Sequence, residues 1–187
     1  MKLYLKALFG ACAAAAVLGS GVSFTLPNGM QAGLVSTHAA TYKTMSDDNN
    51  GGVIITKCTL DEGETSIEVP EKIELTVSGI ELTVSGIAER AFQNQAALKS
   101  VKLPETITSI GASAFAGCSG LTSINIPGGV KTTGRLMFNN CTNLTNVDIS
   151  EGLTSLTEYS FRGCFRFKMH YFEPEWCDYR LLYICFG

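Results

Sequence analysis

Apolar residues recur along the middle of the chain with a period much longer than that of a helix or a strand. Phe92, Phe115, Phe138 and Phe161 fall at every twenty-third position. The other apolar positions keep the same register. Leu98, Leu121 and Leu144 form one column, and Val101, Ile124 and Val147 the next. Leu103, Ile126 and Ile149 follow, then Ile107, Val130 and Leu153, then Ile110, Thr133 and Leu156. Within each unit, L-x-x-[VI]-x-[LI] alternates as a short strand does. Pro104 and Pro127 close that strand, since proline lacks the amide a strand would use. The A-F-x-x-C portion packs small and aromatic residues together and predicts a short helical turn. One coil cannot bury these residues alone, because they face the coils before and after it. A fixed period of this length therefore predicts a repeat solenoid, with short β-strands on one face and loops and short helical turns on the other.

The flanks divide the rest of the chain. Residues 41–52 (TYKTMSDDNNGG) are polar and end in glycine, which predicts a linker. The solenoid is expected over 53–164, with an N-terminal module at 53–91 and the regular repeats at 92–164. In that module, VIITKCTL and TSIEV read as strands. ELTVSGI then occurs twice in tandem, at Glu74–Ile80 and Glu81–Ile87. The second copy keeps the register, because Val84 and Ile87 precede Ile107 and Ile110 by one repeat. The first copy is expected as a longer loop or an extra edge segment. Residues 165–187 break the pattern, with eight aromatic residues, the chain's only Trp and two cysteines. Two readings of this tail stay open: a dedicated cap, or an aberrant end of a longer array.

Composition changes the picture at the N-terminus. Lys2 and Lys6 precede an uncharged run from Ala7 to Leu26, and small residues at Thr37 and Ala39 offer a cleavage site. Residues 1–40 thus read as an export signal. An uncleaved membrane anchor is the alternative, because the run approaches the roughly 20 apolar residues a span needs. The formal net charge is -3 and no Lys/Arg cluster marks the repeats, so there is no electrostatic footprint for nucleic acid. Seven cysteines in an exported chain ordinarily point to disulfides. Cys118, Cys141 and Cys164, however, share one column, just after the phenylalanines, where a small apolar residue is wanted. They are expected in the core.

The pattern F-x-x-C-x-x-L-x-x-I-x-I-P-x-x-V-x-x-I-G-x-x-A-F resembles the BspA-type leucine-rich repeat of bacterial and protozoan surface proteins. Residues 115–138 match it almost throughout, departing at Thr133 and Met137. TLDEGETSIEVPEKIELTVSGI resembles the module that often precedes such arrays, so the likeness runs from about Val53 to Cys164. The resemblance implies a curved solenoid, secreted or displayed on the cell surface and associated with adhesion.

No catalytic constellation accompanies it. The histidines are His38 and His170, and no G-x-S-x-G, H-E-x-x-H or phosphate-binding glycine loop occurs. Cys164, His170, Cys177 and Cys185 lack the close pairs of a zinc site. Asp47, Asp48 and Asn50 look like the start of a calcium loop, but no glutamate follows at the twelfth position. No cofactor is expected, and an unrecognised hydrolase carries the least weight. Recognition is what remains. The outward strand positions Glu68, Lys102, Asn125 and Asp148, together with Ser66, Ser100, Ser123 and Asn146, are the candidate partner-binding face. The expected partner is a protein or cell surface (host, matrix or other cells), with no nucleic acid and a membrane only through the leader. The alternative is a spacer, or a fragment of a larger surface protein, without a ligand of its own. Asn140-Cys-Thr142 and Asn143-Leu-Thr145 are glycosylation acceptors only in a eukaryotic secretory pathway.

Overall fold

The computed structural model describes residues 22–25, 31–36, 40–48, 51–75, 80–131, 133–154 and 156–167. Two ladders of parallel strands run along the repeats. One joins β5 (Ser66–Glu68), β8 (Ser100–Lys102), β10 (Ser123–Ile126) and β11 (Asn146–Ile149) in sequence order. The other joins β7 (Ile80–Ile87) to β9 (Ser109–Ile110) and continues as a bridge from Ile110 to Thr133. Residues one period apart face each other: Ser100 with Ser123 and Ser123 with Asn146 on the first ladder, Ile87 with Ile110 on the second.

Between the ladders lies the core. Phe92, Phe115 and Phe138 are fully buried, and their rings stack with centroids 4.9 and 5.7 Å apart. Leu98, Leu121, Leu144, Ile107 and Val130 are fully buried too. Each column of the sequence is thus a column of packed side chains, and burying one such residue is worth roughly 1.5–3 kcal/mol.

The A-F-x-x-C segments are turns; no helix occurs among the described residues. The expected helical turn gives way because the main-chain amides are used elsewhere. The N–H groups of Ser113, Phe115 and Gly117 donate to Arg135, Met137 and Asn139 of the following coil, at 2.8, 3.0 and 2.7 Å. Arg90, Phe92 and Asn94 do the same one coil earlier, and Leu136, Phe138 and Asn140 one coil later. Aiming alternate amides in one direction requires left-handed residues at two columns. Arg90, Ser113, Leu136 and Tyr159 have φ near 54–60°, and Asn94, Gly117, Asn140 and Gly163 occupy the second column at 60–74°. Only Asn and Gly, which tolerate this region, fill that second column. Elsewhere the amides run the opposite way: Thr122 and Thr145 donate back to Lys99 and Thr122, at 2.8 and 3.0 Å.

Coils approach closely where glycine permits it. A Cβ at Gly111 or Gly134 would collide with the main chain of the preceding coil. Their amides accordingly reach Ile87 and Ile110 carbonyls at 2.8 Å. Thr157 takes this place in the next coil. Its amide meets the Thr133 hydroxyl at 3.5 Å instead, and its own Oγ1 is buried without a partner.

The N-terminal end differs from the sequence-based expectation. Residues 41–52 are not a linker: β3 (Ala40–Asp47) is an antiparallel partner of β4 (Gly52–Leu60) along its whole length. Ala40, Tyr42 and Thr44 are buried on alternate positions, so the apolar ring of Tyr42 and the methyl of Thr44 pack inward despite their polar atoms. Within the stretch expected as leader, β1 (Val22–Thr25) and β2 (Gln31–Ser36) continue the same sheet antiparallel to β3, and residues 1–21 lie outside the described ones. β4 then runs parallel to β7, joining this antiparallel sheet to the stack. The first ELTVSGI copy begins in β6 (Lys72–Leu75), which pairs antiparallel with β7 as an extra edge segment. Lys72 and Glu81 close that hairpin with an ion pair of 3.0 Å.

A candidate binding face on the parallel ladder

The strands β5, β8, β10 and β11 place the candidate residues in rows. Ser66, Ser100, Ser123 and Asn146 are paired in unbroken register, each opposite the next. Glu68 stands opposite Lys102, and Asn125 opposite Asp148. Between them Ile67, Val101 and Ile124 point inward and are buried, so alternation sends the candidate side chains outward. The structure therefore brings all of these residues onto one sheet surface.

They are not equally available. Lys102 Nζ lies 2.6 Å from Glu68 Oε1, with both side chains largely exposed, so the two charges cancel locally. Such an exposed pair is worth about 0–1 kcal/mol. Asn125 has a structural job. Its Oδ1 accepts from the Leu103 amide at 3.1 Å and its Nδ2 donates to the Leu103 carbonyl at 3.2 Å. A side chain thus carries the ladder one residue past the end of β8, which leaves Asn125 half-buried and its amide already engaged. Asn146 and Asp148 are exposed, Ser66 is exposed, and Ser100 and Ser123 are half-buried. Hydroxyls beside this face extend the same coil-to-coil bonding: Thr122 Oγ1 reaches Lys99 O and Thr145 Oγ1 reaches Thr122 O, both at 3.0 Å.

The cysteine column is chemically quiet. Cys118, Cys141 and Cys164 are buried, and each thiol donates to the carbonyl of a phenylalanine in the preceding coil: Phe92, Phe115 and Phe138, at 3.0–3.1 Å. Burial pushes the Cys118 thiol up to about 11 and the Cys58 thiol up to about 12, the latter also through Cys118 and Asp61. Cys141 is raised further, again mainly by burial. These thiols are protonated hydrogen-bond donors with little thiolate to react. Gln95 occupies the same column in the first coil and donates to the Cys58 carbonyl at 3.0 Å.

Other residues weighed for chemistry fall apart. Asp47 is buried and accepts from Ser85 Oγ at 2.5 Å, Asp48 is exposed on the turn, and Asn50 lies outside the described residues. Of the set Cys164, His170, Cys177 and Cys185, only Cys164 is described, and His38 is not. Among the described residues no group of His, Cys, Asp and Glu is placed to hold a metal ion, and no helix is long and apolar enough to cross a membrane. The sequence did not reveal the engagement of Asn125 or the two left-handed columns. The Asn/Gly alternation at 94, 117, 140 and 163 was the available signal for one of these columns.

Comparison with known proteins agrees with this architecture. No curated protein matches the chain. Among solved structures, a leucine-rich repeat protein of Bacteroides ovatus shares 28% identity at a TM-score of 0.61, over 71% of this chain and 33% of its own. A leucine-rich cell surface protein of Faecalibacterium prausnitzii shares 27% at 0.57, over 70% of this chain and 34% of its own. The chain thus spans about a third of the length of these two proteins. The pattern of the BspA type leucine-rich repeat region matches residues 65–176 in six copies, which covers more than half of the sequence. With its stacked coils and parallel ladders, the chain belongs to the BspA-type leucine-rich repeat family.

Proposed function

We propose that the chain is an exported, non-enzymatic recognition protein that binds a protein or cell-surface partner through the face of β5, β8, β10 and β11. The observation that carries this reading is the register of that ladder, which lines Ser66, Ser100, Ser123 and Asn146 into one row with Asp148 beside it. A flat row of polar groups on a stiff, stacked backbone is the kind of extended surface that repeat proteins offer to partners. Membership of a family of largely surface proteins, and likeness to a cell surface protein of F. prausnitzii, support an extracellular setting. Adhesion to host or matrix proteins is the finer form of this proposal.

A spacer is the second reading, favoured by the chemistry of the same face. It carries no aromatic or arginine anchor, and its one cation is neutralised by Glu68. The two readings separate on the full chain immobilised and presented to extracellular matrix proteins and to cells. Recognition predicts saturable binding that drops at least about tenfold in an Asn146→Arg/Asp148→Lys variant with unchanged thermal stability. Binding that survives this double change refutes the face. Absence of binding to every surface favours the spacer.

A further inference from the structure

The two ladders end differently on the N-terminal side of the stack. The ladder through β7 continues into β4 and β3, whereas the ladder of β11, β10 and β8 stops at β5. Thr65 O accepts from the Lys99 amide at 2.6 Å, and the Val69 amide donates to Lys102 O at 2.9 Å. Main-chain groups along a strand face its two sides alternately, so Thr65, Ile67 and Val69 turn theirs toward β8. The N–H and C=O groups of Ser66 and Glu68 therefore point to the far edge, where no described strand pairs with them. The strand itself is firmly seated, since Ile67 and Val69 are buried, while Ser66 and Glu68 are exposed.

The charge around this edge has one sign. Asp61, Glu62, Glu64, Glu68 and Glu71 flank or occupy β5, and no Lys or Arg lies between Asp61 and Glu71. Glu68 is held by Lys102, but Asp61, Glu62 and Glu64 form no ion pair among the described residues. Asp61 and Glu62 are exposed on the turn that leads into the strand.

We propose that the free edge of β5 docks an extended, basic polypeptide segment of a partner, which adds to the ladder as a further strand. Main-chain bonds to Ser66 and Glu68 hold the segment, and its Lys or Arg side chains lie against the acidic turn. The edge is short, so the contact is brief and reversible, and charge supplies its selectivity. A second copy of the chain fits less well. Pairing β5 with itself brings two acidic turns together, and in β11 Asp148 holds the place that Glu68 holds in β5. An open edge is ordinarily a template for aggregation, and like charge guards this one. The site borders the proposed recognition face without depending on it, because Asn146 and Asp148 lie on β11, at the opposite end of the ladder.

The test uses the full chain and two synthetic peptides, one of five Lys-Val dipeptides and one of five Glu-Val dipeptides. The basic peptide should bind saturably and slow amide exchange at Ser66 and Glu68 by at least about tenfold. The Val69 amide, already bonded to Lys102, should change by less than about twofold. Ser66→Pro removes one outward donor and spares the bonds to β8, so it should weaken binding at least about tenfold with an unchanged melt. Glu62→Lys/Glu64→Lys should weaken it as much through charge, and it reads the site even where the proline variant unfolds. The Asn146→Arg/Asp148→Lys variant should bind the peptide as the parent does, which separates this edge from the recognition face. No binding of the basic peptide, equal binding of the acidic one, or unweakened binding to either folded variant overturns the proposal. Binding without protection at Ser66 and Glu68 does so too. Protection of these amides in the peptide-free protein also overturns it: constant on dilution, it assigns the edge to the chain itself, and lost on dilution, to a second copy.

Discussion

At its N-terminal end the ladder that starts at β7 meets a partner, although β5 stays an edge strand of the other ladder. β4 lies parallel to β7, the Cys58 amide donates to Ala91 at 2.7 Å, and Gln95 caps the Cys58 carbonyl, leaving Cys58 fully buried. At the other end β11 carries the same kind of sequence as β10, yet Val147 and Ile149 are half-exposed where Ile124 and Ile126 are buried. In a solenoid, burial is therefore a property of the neighbouring coil as much as of the residue. Identical columns contribute differently to stability according to whether something lies beyond them.

Substitution in matched columns tests this most sharply. Ile126→Ala should cost about 2–5 kcal/mol in a urea or thermal melt, as should Leu121→Ala. Half-buried Ile149→Ala should cost less than half of that, and equal costs would show that burial does not differ between the two strands. Alkali should come next. The thiols of Cys58 and Cys118 have folded pKa values of about 12 and about 11, raised from 9.0, so the unfolded chain releases protons that the fold retains. Stability is then complete below pH 9 and falls as the pH rises toward 11–12, by about 1.4 kcal/mol per unit for each thiol. A melt that is flat over this window would remove the thiols from the core. Gln95→Ala strips the cap from a buried carbonyl and should cost about 1–3 kcal/mol. Weakest of all, Lys102→Ala should stay within about 1 kcal/mol, because its ion pair is exposed. A larger loss from Asn125→Ala than from Lys102→Ala would confirm that Asn125 serves the ladder rather than the surface.

Much of the solenoid was legible because its period is written in side-chain type. Phenylalanine, leucine and cysteine columns need no knowledge of the backbone to be recognised. The cap was harder. TYKTMSD reads as polar, and only its alternation (Ala40, Tyr42 and Thr44 inward) marks a strand, since a tyrosine ring and a threonine methyl can pack while the sequence suggests solvent. The turns were misread as helical because φ is not visible in Arg90, Ser113, Leu136 or Tyr159, residue types with no left-handed preference in common. For the face, the outward direction of each candidate followed from alternation. What each side chain was already bonded to did not, as Asn125 shows.

The tandem segment has a consequence for how the chain finds its register. Residues 73–80 and 80–87 are the same octapeptide, IELTVSGI, sharing Ile80. No preference within that octapeptide can decide which copy lies between β4 and β9. The choice rests on the surroundings: the hairpin of β6 with β7, the Lys72–Glu81 pair, and the direct passage from Ile87 into Ala88, whose amide bonds Ile55 at 2.8 Å. Selecting the upstream copy would leave Glu81–Ile87 as a surplus loop and dissolve that hairpin. The address of this strand is thus specified by its context, in a chain where most other strands are specified by their own letters.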